Sequence, residues 1–196
     1  MNPEIRLATE ADLPRILAIS NWAAENTIAN FATSPERLED WTDTWRNTRE
    51  LHPWLVGVMD GEVAGFAKSS PHRARGAYAW TAEISVYLAA EWQGKGLGPT
   101  LYQVLLPQLK KQGYVTLLAI ISDGHLPSEK LHARFGFLRC GTFPRLGWKS
   151  GPLPRGTGLA PLAAETGRWL DVGYWELQLA GDQPPAPIRP VADVWR

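Results

Sequence analysis

The segment Gln93-Gly94-Lys95-Gly96-Leu97-Gly98 lies between a strand-like apolar run and a stretch with leucines at helical spacing. Glycines let the backbone turn tightly and bring its N–H groups close to a ligand. A helix starting at such a turn adds the positive end of its dipole. Together they can cradle a pyrophosphate. Neither the phosphate-loop pattern GxxxxGK[ST] nor GxGxxG is present, which argues against a nucleoside-triphosphate or Rossmann site. From the turn alone, a plain glycine-rich connection is an equal alternative.

Other residues have the types that chemistry uses. Strand alternation puts Glu83, Ser85 and Tyr87 on one face, and Ile84, Val86 and Leu88 on the other. A lone carboxylate beside Trp80, Ala82 and Ile84 does not belong unpaired in a dry core. From its surroundings it is equally a general base or a structural carboxylate paired with a cation. His132 borders an apolar pair, Leu131 and Phe135, at the edge of a buried stripe, where a capping or surface histidine is the usual case. Arg73 and Arg75 precede the strand, with no acid between Glu62 and Glu83. They suit either a solvated loop or a bidentate grip on a carboxylate or phosphinate.

The elements that must position these residues follow from local signals. Glu4–Ala8 reads as a first strand, and Thr9 with Asp12 as a capping box. The next helix carries Ala11, Ile16, Leu17, Ile19 and Ala23 near one face. Ser34-Pro35 reads as a second helix start, running towards His52. Trp54–Met59 and Val63–Ala67 form a hairpin through Asp60-Gly61. Tyr78–Leu88 is a longer strand. Leu97, Leu101, Leu105 and Leu109 mark a helix in which Pro107 predicts a kink near residues 103–107. Val115–Ile121, a helix over Ser128–Phe135, Phe137–Phe143 and Leu170–Leu179 complete the pattern. The order β-α-α-β-β-β-α-β-α-β-β implies an α/β chain of the α+β mixed-sheet kind, with helices on both faces.

Composition narrows the function. One domain fits 196 residues, spanning 1–182, with a Pro-rich extended tail over 183–196. Twenty basic and twenty acidic side chains cancel, unlike a nucleic-acid binder. The cancellation hides a gradient. Residues 1–62 hold 11 acids and 5 bases, whereas residues 63–149 hold 4 acids and 11 bases. An anionic ligand belongs to the middle block. No apolar run approaches a membrane span, and the polar N-terminus is unlike a signal peptide, so a cytoplasmic protein is expected. The single Cys140 excludes a disulfide framework and a multi-cysteine metal site. It reads as a buried strand residue outside the motifs, which makes an acyl-cysteine route unattractive.

The Gln93–Gly98 turn matches the Q-x-x-G-x-G signature of the GNAT superfamily of N-acetyltransferases. Tyr78-Ala79-Trp80-Thr81-Ala82-Glu83-Ile84-Ser85-Val86-Tyr87 resembles the equivalent strand of the phosphinothricin and methionine sulfoximine acetyltransferases. So do Asp60-Gly61-Glu62-Val63-Ala64-Gly65, Leu131-His132 before Gly136-Phe137, and Trp169-Leu170-Asp171-Val172-Gly173-Tyr174-Trp175. The resemblance covers nearly the whole chain. It implies the GNAT acyl-CoA N-acyltransferase fold and acetyl transfer from acetyl-CoA to the primary amine of a small anionic, amino-acid-like acceptor. A protein N-terminus, another small amine or a non-catalytic acyl-CoA-binding module are the alternatives. It further implies Glu83 as general base in a direct attack, and His132 in a catalytic or substrate-orienting role. Val86, Tyr87, Leu88, Gln93, Gly94, Lys95, Gly96, Leu97, Gly98, Pro99, His125 and Ser128 would contact the cofactor. Phe31, Arg73, Arg75, Tyr78, Ser85 and Tyr87 would contact the acceptor, and a homodimer is expected.

The sequence departs from that family in three places. His125 stands where asparagine is usual, and imidazole replaces one amide hydrogen bond better than two. Ala23 replaces a bulkier residue and would widen the acceptor pocket. An insertion, Pro152–Gly167, is expected to form a lid or extend an interface.

Overall fold

The computed structural model describes residues 3–150, 167–182 and 184–195. Seven strands form one mixed sheet: β1 (Glu4–Leu7), β2 (Trp54–Met59), β3 (Glu62–Pro71), β4 (Thr81–Leu88), β5 (Thr116–Ser122), β6 (Leu138–Lys149) and β7 (Arg168–Gln178). Their spatial order is β1-β2-β3-β4-β5-β7-β6. Only the central pair, β4 with β5, is parallel.

Helices α1 (Leu13–Asn26) and α2 (Leu38–Thr48) cover one face, with Leu13, Ile16, Ile19, Trp41 and Trp45 packed on Trp54, Val56 and Phe66. Helix α3 (Leu97–Gln112) covers the other face and buries Leu97, Leu101, Leu105 and Leu109. Helix α4 (Leu126–Arg134) adds Leu131 to that second core, and a final turn, α5 (Val191–Val194), ends the described tail.

Locally specified features form as expected. Asp12 accepts the Thr9 backbone N–H at 2.7 Å and takes both ends of the Arg6 guanidinium at 2.7 and 2.8 Å. Asp60 and Gly61 both take positive φ in the β2–β3 turn, as a two-residue hairpin loop requires. The kink expected at Pro107 is not among these: Pro107 lies inside a helix unbroken from Leu97 to Gln112.

Several boundaries differ from the sequence reading. Ser34-Pro35 does not start α2, which begins at Leu38. Asn21 bonds the Glu36 N–H at 2.9 Å and the Glu36 carbonyl at 3.2 Å, holding the chain off helical geometry until Arg37. The same helix stops at Thr48, short of His52, which is buried against Tyr114 and Ser69. Tyr78 belongs to a 3-10 turn, Gly76–Tyr78, and the strand begins at Thr81. Ala11 is exposed and Leu13 takes its place in the core. Cys140 is exposed, because β6 is an edge strand whose residues mostly face outward. The tail is extended up to Pro190, and it docks: Trp80 Nε1 donates to the Ala186 carbonyl at 2.7 Å, and the Arg189 N–H to Gln112 at 2.8 Å.

Candidate active site

The site begins where the sheet splits. Strands β4 and β5 are in register at Thr81, Ala82 and Glu83 only, opposite Thr116, Leu117 and Leu118. Beyond Glu83, β4 continues to Leu88 beside β3, while β5 continues to Ser122 beside β7. The stretch from Ile84 to Leu88 therefore turns one backbone edge towards an opening in the sheet. Such an edge presents unpaired N–H and C=O groups.

The glycine turn stands at the mouth of this opening. Gly94 and Gly96 take φ of 72° and 86°, and a Cβ at either would meet open space. Left-handed backbone is the reason for glycine there, and the space leaves room for a ligand. The first α-helical bond, Thr100 N–H to the Gly96 carbonyl, is 3.2 Å. The N–H groups of Leu97 and Gly98 have no partner within the helix, and Pro99 has no N–H to offer. Leu97 contributes backbone only, since its side chain is in the core. Gly98 is backed by Leu88 and Leu131. Gln93 Nε2 donates to the Leu88 carbonyl at 3.3 Å, tying the turn to β4. Lys95 lies over the Trp92 ring at 4.7 Å.

Glu83 is the last β4 residue paired with β5. Its carboxylate is half-buried, with Oε1 2.7 Å from Nδ1 of His72. His72 was not among the residues singled out from sequence. It follows β3, and the pairing of Ser70 with Glu83 brings it alongside. No local pattern could have revealed it, because the register crosses a loop of undetermined shape.

Antiparallel register aligns further side chains on the face of Glu83. Phe66 pairs with Tyr87 and Lys68 with Ser85. Lys68 was also missed. Its ammonium lies between two indoles, 4.8 Å from Trp41 and 4.5 Å from Trp54. Burial lowers its pKa, against the raising effect of Glu36 and Glu83.

The loop from Thr27 to Ala32 forms the roof of this face and is tied to three strands. Tyr87 Oη donates to the Ala29 carbonyl at 3.1 Å, and Ser122 Oγ to Ile28 at 2.5 Å. Buried Lys149 donates to the carbonyls of Ala24 and Asn30. Phe31 lies on Gly147 of β6 so closely that a Cβ there would enter its ring. Burial pushes the Tyr87 hydroxyl up to about 12, so it stays a neutral donor. Ala23 is buried. Arg73 and Arg75 are exposed on the loop before the 3-10 turn, with the Arg73 guanidinium 6.0 Å over the Tyr78 ring.

His132 is in the interior, not at the edge of a stripe. It is 3% exposed. Nδ1 lies 2.8 Å from the Ser128 carbonyl and Nε2 2.9 Å from Tyr102 Oη. Ser128 Oγ is 3.4 Å from Nδ1. Burial lowers the His132 pKa to about 4, so the ring is neutral, donating from Nδ1 and accepting at Nε2. Both ring nitrogens are engaged by protein groups, which disfavours proton delivery to a leaving group. His125 precedes α4, and its Nδ1 is buried without a hydrogen-bond partner among the described residues. An orphaned polar atom beside the opening fits a ligand amide better than it fits a sealed core. The Pro152–Gly167 insertion lies outside the described residues, Gly167 excepted, which abuts the Trp148 indole.

The family profile described as Acetyltransferase (GNAT) family matches residues 16–137. This chain belongs to the GNAT acetyltransferase family. The match spans the fork, the glycine turn and α4. A phosphinothricin N-acetyltransferase of Streptomyces viridochromogenes is 36% identical over 191 residues, covering 97% of this chain and 96% of that one. An L-methionine sulfoximine/L-methionine sulfone acetyltransferase of Pseudomonas aeruginosa is 37% identical over 183 residues, covering 91% and 96%. The solved structure of yncA from Salmonella typhimurium with its cofactor acetyl-CoA superimposes with a TM-score of 0.81 at 28% identity. It covers 95% of this chain and 99% of that one. Among the described residues, no helix is long and apolar enough to cross a membrane.

Proposed function

We propose that this GNAT acetyltransferase transfers the acetyl group of acetyl-CoA to the primary amine of a small, acidic, amino-acid-like acceptor of the phosphinothricin or methionine sulfoximine type. The position of Glu83 carries this reading: a half-buried carboxylate at the point where β4 and β5 part. One side of that point is the opening beside the glycine turn. The other is the roofed face with Tyr87, Ser85 and Phe31.

The fork suits acetyl-CoA as co-substrate. The turn from Gln93 to Gly98, including Lys95, faces a pyrophosphate with backbone N–H groups and a helix N-terminus. The free edge of Val86 to Leu88 pairs with the amides of the pantetheine arm, with His125 Nδ1 and Ser128 across the opening. A β4 N–H polarises the thioester oxygen. Glu83 takes a proton from the acceptor ammonium, directly or through one water. The freed lone pair forms the C–N bond to the acetyl carbon, the C–S bond breaks as the nitrogen gives up its second proton, and the departing thiolate takes up a proton, so that amide and thiol are released. Arg73 and Arg75, with Tyr78, face the acid group of the acceptor. His132 acts in this scheme by holding α4 against Tyr102 of α3.

Thiol release from acetyl-CoA with phosphinothricin and with methionine sulfoximine tests the reading. Turnover by the wild type and a loss of about 100-fold or more in Glu83→Gln support it. Turnover only with other amines moves the acceptor class, and binding of acetyl-CoA without turnover of any amine removes the enzyme reading. We also read the protein as a homodimer, on the support of Leu138, Phe143, Leu146, Trp148 and Trp169, all exposed along the β6–β7 edge. Such a patch on an edge strand favours a partner. Sedimentation equilibrium distinguishes dimer from monomer.

A further inference from the structure

We infer that His72 is a positioning residue for Glu83, reserving one carboxylate oxygen for the acceptor amine and coupling the acid-binding loop to the base. The inference rests on Glu83 being the base. It adds a residue that this chain supplies from outside the motifs.

The geometry is direct. His72 Nδ1 is 2.7 Å from Oε1 of Glu83, a distance typical of a charge-assisted hydrogen bond. With Glu83 ionised, the imidazole must present Nδ1–H as donor, whichever state Nε2 is in. One carboxylate oxygen is thereby occupied. The other remains for a proton, so the carboxylate cannot rotate freely into a less productive orientation. Side chains 14% and 30% exposed place the pair at the boundary between loop and strand, where the acceptor must enter. Lys68, from β3, whose ammonium is held by Trp41 and Trp54, is a cation near enough to feel the Glu83 charge.

The ring is held as well. Tyr78 meets it edge to face, with centroids 5.7 Å apart and planes at 81°. The Arg73 guanidinium lies over the Tyr78 ring, 6.0 Å from its centroid. Arg73, Tyr78, His72 and Glu83 therefore form one contiguous series from the exposed loop to the base. An acceptor acid group gripped by Arg73 braces that loop, and the brace reaches Glu83 through His72. Recognition of the acid is expressed in kcat, not only in KM.

His72→Leu removes the donor at similar size, and His72→Asn restores an N–H near the position of Nδ1. Glu83→Gln is measured beside them, with calorimetric titration of acetyl-CoA as the control for a folded cofactor site. His72→Leu is expected to lower kcat by about 10- to 100-fold with KM for acetyl-CoA within about twofold of wild type. His72→Asn is expected to recover most of the loss. Unchanged kcat in His72→Leu, with activity lost in Glu83→Gln, overturns the role of His72 and leaves the base standing. Equal losses in His72→Leu and His72→Asn, with acetyl-CoA binding intact, also overturn it, because the donor would then not be what matters. Full activity in Glu83→Gln removes the base reading itself.

Discussion

Tyr102 of α3 and His132 of α4 share a buried hydrogen bond, Oη to Nε2 at 2.9 Å. It fixes the histidine as the neutral tautomer that donates from Nδ1 to Ser128. Both rings sit in an aromatic cluster with Phe135 and Phe137. The pair therefore joins the helix of the glycine turn to the helix across the opening, and its chemistry is that of a core contact.

Acid should unlock that contact in a defined window. The His132 pKa is lowered to about 4 in the folded chain from 6.5, and that of His52 likewise to about 4, both chiefly by burial. The unfolded chain protonates first as pH falls, so stability is complete above 6.5 and is lost as pH drops towards 4. Each histidine contributes up to roughly 3 kcal/mol across that range. Asp12 acts lower: its Arg6 partner holds it to about 2 against 3.8, so its contribution is lost as pH falls from 3.8 through 2. Urea unfolding midpoints between pH 8 and 4.5 should fall most steeply below 6.5, and His132→Gln should flatten part of that slope. A constant midpoint over this range contradicts the assignment.

The two glycines of the cradle's first turn should respond differently. Gly96→Ala puts a side chain at φ 86°, where left-handed backbone costs an L-residue about 1–2 kcal/mol. The new methyl also projects into open space, where the proposed site would hold phosphate. Gly98→Ala meets Leu131 at 3.6 Å and Leu88 at 3.8 Å, ordinary contacts that stability should tolerate within about 0.5 kcal/mol. Thermal unfolding and KM for acetyl-CoA check the contrast: a lower melting temperature and a raised KM in Gly96→Ala, and a near-native melting temperature in Gly98→Ala.

Which parts of this arrangement were legible depends on range along the chain. The Thr9–Asp12 box, the Asp60-Gly61 turn and the four leucines of α3 are local patterns, and they formed where expected. Ser34-Pro35 carried a sound helix-start signal, but Asn21, distant in sequence, captured the Glu36 backbone first. Glu83 and the glycine turn were visible because strand alternation and glycine content are local. His72, Lys68 and Lys149 were not, since each acquires its partner through sheet register or a loop crossing. Cys140 was misread because apolar content does not tell an edge strand from a central one. Trp41 and Trp45 of α2 are buried in the core, and Trp41 with Trp54 encloses Lys68.

Cys140 provides a control on mechanism. Its thiol is exposed and lies 3.4 Å from Glu176 Oε2, and its pKa is raised, first by burial and then by that carboxylate. A thiol disfavoured as thiolate is a poor nucleophile, and β6 lies two strands from β5 beyond the fork. Cys140→Ser should leave kcat and both KM values within about twofold of wild type. A large loss would point to a covalent acyl-cysteine route.

Lys149 has the most specific positional role in the roof of the site. It is 5% exposed, and its ammonium meets the carbonyls of Ala24 and Asn30. Desolvation lowers its pKa, yet those two acceptors hold it in place. Lys149→Met keeps the length and removes the donors, leaving two carbonyls without their partner at a cost of about 1–3 kcal/mol. Of its ties to the sheet the loop then keeps those to Tyr87 and Ser122, and Phe31 loses its fixed seat on Gly147. The acceptor KM should rise severalfold, while KM for acetyl-CoA, whose proposed site lies on the opposite side of the fork, should stay near wild type. Bisubstrate kinetics read the two constants separately, and equal rises in both would mean that Lys149 supports the whole fold instead of the acceptor roof.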